Sequence, residues 1–129
     1  MTKEVIRPNG MLNAPGYSHA VMKAGTPVFI SGQVAQDATG TIVGEGDIEA
    51  QVRQVFLNLR TVVNACGGSM DDIVKINVYV TDLSYRPAVA AARMTHFRPG
   101  FMPASTFVVV SSLADPRMLV EIEAVAMVE

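Results

Sequence analysis

The sequence has one cysteine in 129 residues, no tryptophan, two histidines, and 17% charged side chains. Each scarcity removes a class of protein. Cys66 alone cannot form an intrachain disulfide, so no oxidising compartment is implied. His19 and His96 stand far apart, and neither has a metal-spaced partner, so no metal site is expected. No run of 18 apolar residues and no charged-then-apolar leader appears; membrane spanning and secretion are not expected, and a cytoplasmic location is. Ten basic residues against twelve acidic ones, with no basic cluster, leave no surface for nucleic acid. Gly40 to Gly46 is glycine-rich, but no Lys-Ser/Thr follows, so it is not a phosphate loop. A Gly-x-Ser-x-Gly elbow is also missing, which leaves a serine hydrolase without support.

What is present is apolar. Half the residues are hydrophobic and the net charge is only −2, which excludes disorder. The length fits a single domain over residues 1–129, burying about two-thirds of its unfolded surface. A mean hydropathy of +0.31 is high for so small an interior. Some of that surface is expected to be buried against other copies of the chain.

Residues 1–16, with Pro8, Gly10, Pro15 and Gly16, read as an extended N-terminal segment without an element. Residues 18–23 and 26–33 flank Ala24-Gly25 and read as a hairpin, and residues 41–43 read as a short strand. Asp47 caps a helix whose apolar stripe runs from Ile48 through Val52, Val55, Phe56, Leu59 and Val63 to Cys66. Gln51 and Asn58 fall outside the stripe, and Cys66 falls on it as a buried thiol. Gly67-Gly68 ends the helix. Residues 73–80 alternate, with Val74, Ile76, Val78 and Val80 on one face. Asp82 or Ser84 starts a second helix with Pro87 in its first turn, running to about Phe97. Strands at 106–111 and 119–128 close the chain. Two helices cover one face of a four- to six-stranded sheet. The closing strands are apolar on both faces, so the uncovered face needs a partner, and a closed ring of copies is expected.

Several runs carry a resemblance: residues 28–33 (ending Ser31-Gly32-Gln33), Gly46-Asp47 through Gln51, Asn58-Leu59, and Asp72 through Lys75. Pro103-Ala104 and residues 120–126 (Val-Glu-Ile-Glu-Ala-Val-Ala) extend it. From about Tyr17 to Val128 the chain resembles the reactive intermediate deaminase family (Rid, or YjgF-like proteins). The resemblance implies a chorismate-mutase-like α+β fold in a homotrimer, with clefts between subunits for small carboxylates. It implies cofactor-independent hydrolysis of enamines or imines to 2-oxo acids and ammonia. In that frame Glu121 positions the attacking water, Ser31 and Gly32 line the cleft, and Tyr17 covers it.

The sequence departs from the family where the substrate is held. Family deaminases carry an arginine directly after Pro-Ala; here that position is Ser105, followed by Thr106. A bidentate guanidinium clamp, roughly 1.5–3 kcal/mol per bond, gives way to a hydroxyl worth about 0.5–1.5 kcal/mol. An aligned asparagine becomes Ala90, and the family's Gly-Pro-Tyr becomes Pro15-Gly16-Tyr17. Whether Arg93, Arg98 or Arg117 replaces the lost cation is open in the sequence. Glu121 and Glu123 share one strand face, roughly 6.7 Å apart along the backbone, close enough to raise one pKa for proton transfer. Taken without the resemblance, they read as two solvent-facing glutamates.

The leading expectation is a Rid-like imine deaminase with altered substrate preference, in which Glu121 orients water and Ser105, Thr106 and the Gly32 N–H meet the polar end. The alternative is a non-catalytic small-molecule-binding or regulatory trimer on the same scaffold. A chorismate mutase reaction would need cationic side chains around a dianion, and none stands at the expected position.

Overall fold

The computed structural model describes residues 2–129. Strand β1 (Glu4–Ile6) pairs antiparallel with β2 (Ala20–Met22) in a two-stranded ribbon. Strands β3 (Thr26–Gln33), β4 (Ile73–Val80), β5 (Ala104–Val109) and β6 (Val120–Val128) form the main sheet in the order β3-β6-β4-β5. β6 lies antiparallel to both its neighbours. β4 and β5 are parallel. Parallel neighbours require a crossover, and helix α2 (Arg86–His96) supplies it. Helix α1 (Ile48–Ala65) connects β3 to β4.

The N-terminal segment differs from its sequence reading. It contains β1, and residues 20–22 pair with that strand instead of forming a hairpin with 26–33. The cause lies at the corner. Gly25 holds φ +142, and a Cβ there would meet the Val128 backbone at 2.9 Å. The chain passes so close to β6 that β3 enters the sheet beside it, and β2 takes β1 as partner. Residues 41–43 make no strand, only an isolated bridge from Ile42 to Gln36.

α1 begins where expected: the Asp47 carboxylate accepts from the Ala50 N–H. Val52, Val55, Phe56, Leu59 and Val63 pack on Ile30, Ile76, Val78, Val80, Ile122, Ala124 and Ala126 from the sheet. Val89 of α2 and Phe97 join the same core. Two assignments on α1 are corrected. Gln51 is fully buried: its amide donates to Gly44 O at 3.2 Å and Arg117 O at 2.8 Å and accepts from Leu119 N at 2.8 Å. A buried amide with three partners is fully satisfied there, so polarity does not place it outside. Cys66 is exposed, because it is the helix C-cap and the stripe has ended. On β4, an irregularity between Ile73 and Lys75 turns Ile73 into the core and leaves Val74 half-buried.

Both helices pack on one face of the sheet. The other face is bare. It presents Phe29 at 79% exposure and Val108 at 39%, with Lys75, Asn77, Tyr79, Glu121, Glu123, Val125 and Met127 half-buried. The two-sided apolar strands read from the sequence are therefore real, and one side has no cover among the described residues.

Candidate functional site

Register divides the expected site residues between the two faces. Tyr79 stands opposite Glu121, and Asn77 opposite Glu123, all on the bare face. Ile76, which is buried, stands opposite both Ala124 and Ser105, so Ser105 points to the helix side.

On the bare face, Glu123 is held in place. Asn77 Nδ2 donates to its Oε1 at 3.0 Å, and Tyr79 Oη donates to the same oxygen at 2.8 Å. The bond to Glu123 raises the Tyr79 phenol above its ordinary range. Glu121 differs. It accepts no hydrogen bond among the described residues, and burial, followed by the nearby Glu123 charge, pushes its pKa up. One carboxylate is structurally engaged and its neighbour is left free. These are the separated environments that suit proton transfer.

Strand β3 frames Glu121. Its register slips between Ile30 and Gln33, so Ser31 and Gly32 together oppose one residue of β6, forming a bulge. The Glu121 carboxylate lies directly over Gly32. A Cβ at Gly32 would overlap its Oε2 and come within 2.7 Å of its Cδ. Glycine lets the carboxylate lie this close, and its φ plays no part. Asn58 fastens the next stretch, donating to Val34 O at 3.0 Å and Gln36 O at 2.9 Å. Ser31 is exposed beside the bulge.

On the helix side, Ser105 lines a cavity of about 340 Å³ with Tyr17, Gly16, Arg86, Arg93 and Phe107. The loop bearing Tyr17 is tied to the start of β5: Ser18 N–H donates to Pro103 O at 3.2 Å and Ser18 Oγ to Met102 O at 2.6 Å. His19 stacks edge-on against Tyr17 at 5.4 Å and bonds Leu12 O. Thr106 is not in this cavity. Alternation turns it to the bare face, where its hydroxyl accepts from Lys75 Nζ at 2.9 Å. Ser105 and Tyr17 therefore stand together, as do Glu121, Gly32 and Ser31, and no single chain joins the two groups.

The three candidate arginines also separate. Arg98 pairs with Asp71, and Arg117 with Asp115. Arg93 enters the Ser105 cavity and donates from Nη1 to Gly16 O at 3.1 Å. The sequence assigns no site role to Asn77, Tyr79 or Asn58. Polar residues at alternate positions of β4 were the available signal for the first two.

A mixed sheet with both helices on one face is the chorismate-mutase-like class of α+β fold. The comparisons narrow this. The family model described as Endoribonuclease L-PSP matches residues 10–128, and the chain belongs to that family, the Rid or YjgF-like proteins. It is 40% identical over 111 residues to a RutC family protein of Pyrococcus horikoshii, covering 85% of each chain. A 2-iminobutanoate/2-iminopropanoate deaminase of Dermatophagoides farinae is 32% identical over 113 residues, 88% of this chain and 86% of that one. Among solved structures, the Rid family protein YyfB of Yersinia pestis superposes with a TM-score of 0.88 at 36% identity, covering 99% of this chain and all of that one. No helix among the described residues is long and apolar enough to cross a membrane.

Proposed function

We propose that this protein is a cofactor-independent enamine or imine deaminase working in clefts between the subunits of a homotrimer, with a substrate preference altered by Ser105. The observation that carries the reading is Glu121, a half-buried carboxylate without a hydrogen-bond partner among the described residues, set over a glycine bulge beside a second carboxylate. The relative from Dermatophagoides farinae, named as an imine deaminase, supports the same chemistry. The trimer is supported by the bare sheet face with Phe29 at 79% exposure. It is also supported by the division of the site residues between opposite faces, which neighbouring copies would bring together.

In the reaction, ionised Glu121 accepts a proton from water as the water oxygen bonds to the imine carbon. The C=N π electrons move to nitrogen, which takes that proton from Glu121 and leaves the carboxylate ionised. The tetrahedral carbinolamine then collapses: Glu121 accepts the hydroxyl proton as the carbonyl forms and passes it to nitrogen as the C–N bond breaks, so nitrogen leaves as ammonia. One water is consumed for each imine, so the balance needs no redox partner. The family model's printed name refers to RNA cleavage, but the net charge of −2 and the lack of a basic stripe give no support for tracking a phosphate backbone.

The test is hydrolysis of 2-iminobutanoate generated in situ, followed as loss of the trappable imine. Glu121→Gln is expected to reduce the rate about 10²–10⁴-fold. An arginine-bearing relative should turn over this substrate faster; equal rates would remove the claim that Ser105 alters preference. If no imine tested is hydrolysed while 2-oxo acids still bind, the protein is a binding trimer and not an enzyme.

A further inference from the structure

Among the described residues, two buried side-chain polar atoms have no hydrogen-bond partner: Arg93 Nε and Ser105 Oγ. Both residues line the same cavity. Native proteins seldom leave such groups unmatched, and two of them on residues that line one cavity point to an acceptor supplied from outside the chain. The cavity charge specifies its sign. Arg86 and Arg93 are both in the lining, no aspartate or glutamate is, and neither arginine lies within salt-bridge distance of a carboxylate among the described residues. Burial and the neighbouring Arg86 charge both disfavour the Arg93 cation. An anion entering the cavity offsets both effects by direct attraction.

We propose that Arg93 and Ser105 form a carboxylate-recognition site, in which the guanidinium expected from β5 is supplied by α2 and the Ser105 hydroxyl donates beside it. Arginine is always charged and offers donors in a planar fork suited to a carboxylate. Nη1 is already engaged by Gly16 O, so Nε and the remaining Nη2 face the ligand. The bond to Gly16 also ties the guanidinium to the loop of Tyr17, so one side chain holds the acid and braces the cover. The size of the cavity, about 340 Å³, suits a small monocarboxylate. This rests on the deaminase reading and adds to it the residue that holds the substrate's acid group, yet it is tested by binding alone.

The probe is 2-oxobutanoate, the stable carbonyl counterpart, titrated calorimetrically into the purified protein, with its methyl ester as control. The wild type should bind the acid saturably and the ester at least tenfold more weakly. Arg93→Gln should lower affinity about 10–100-fold and Ser105→Ala about 2–10-fold. Arg98→Gln, outside the cavity, should leave it unchanged. Adding Ser105→Arg to Arg93→Gln should return much of the lost affinity by restoring a guanidinium on β5. Because Arg93→Gln also removes the tie to Gly16 and could unfold the loop, the wild-type Arg93 Nε–H resonance provides a second readout. It should shift saturably with the calorimetric Kd. Undiminished affinity in both single variants, equal binding of the ester, or an unmoved Nε–H resonance overturns the proposal. Absent hydrolysis with Arg93-dependent binding defeats the deaminase reading alone; hydrolysis with Arg93-independent binding defeats only this one.

Discussion

Gly32→Ala is the sharpest perturbation of the carboxylate geometry. The new Cβ would lie 2.7 Å from Glu121 Cδ and 3.0 Å from its Cγ. Carbon atoms rest at about 3.5–4.0 Å, so Cδ must retreat by about 0.8 Å, and the carboxylate oxygens beyond it farther. The side chain can move, since its oxygens accept no hydrogen bond among the described residues. Gly32 also has no positive φ to strain. The fold should therefore change by no more than about 1 kcal/mol, with the entropy gained from removing a glycine offsetting part of the contact. Catalysis should be less tolerant. Misplacing a reacting group by about 1 Å costs about 10² in rate, equivalent to about 2.7 kcal/mol in the barrier. Imine hydrolysis and thermal unfolding measured on the same preparation separate the two effects. Shortening the partner in Gly32→Ala/Glu121→Asp should relieve the overlap and give a double variant less impaired than the single effects add to. Wild-type kcat in Gly32→Ala, with an unchanged Tm, would refute the reasoning that the bulge positions Glu121.

Glu121→Gln should separate stability from activity. The folded pKa of Glu121 is raised, so the native state holds its proton more tightly than the unfolded chain, and stability falls as pH rises through that window and stays lower above it. Calorimetry should give Glu121→Gln a higher Tm than wild type at pH 7–8, converging below pH 4, while wild-type turnover declines as acid protonates Glu121; a lower Tm at pH 7 contradicts the assignment. Gln51→Leu leaves Gly44 O, Arg117 O and Leu119 N without their partner. Urea unfolding should show a loss of about 3 kcal/mol, and a near-zero change would mean water or repacking satisfies all three. Phe29→Lys places a charge on the bare face and should shift light scattering from about three 13.8 kDa chains per particle toward one; an unchanged particle mass removes Phe29 from the interface.

The sequence makes some of this architecture plain and leaves other parts open, for physical reasons. α1 is readable at both ends because its signals are local: Asp47 caps it and Gly67, at φ +83, follows its end. The alternation of β6 places Glu121 and Glu123 together because strand parity is a local rule. Gln51 is misread because its three partners come from distant loops, and polarity alone assigns it to solvent. β2 finds β1 because β3 turns against Val128 at Gly25, a contact made across the whole chain. Parity also separates Ser105 from Thr106, a consequence available from the sequence once the strand is placed. Arg93 is chosen over Arg98 and Arg117 only by what lies beneath α2 and by the aspartates that engage the other two.

The central claim is that a working site combines Glu121 of one chain with the Arg93–Ser105 cavity of its neighbour. Mixed assembly tests this directly. Glu121→Gln and Arg93→Gln, each strongly impaired alone at limiting substrate, are co-expressed in equal amounts with distinct tags, and the mixed particles are isolated and assayed at the same limiting substrate. If the site spans two chains, each mixed trimer of either composition unites an intact glutamate with an intact arginine at one interface in three, and about a third of wild-type turnover should return. If both groups serve a site within one chain, every site carries one lesion. Mixed particles as inactive as their parents would contradict the account.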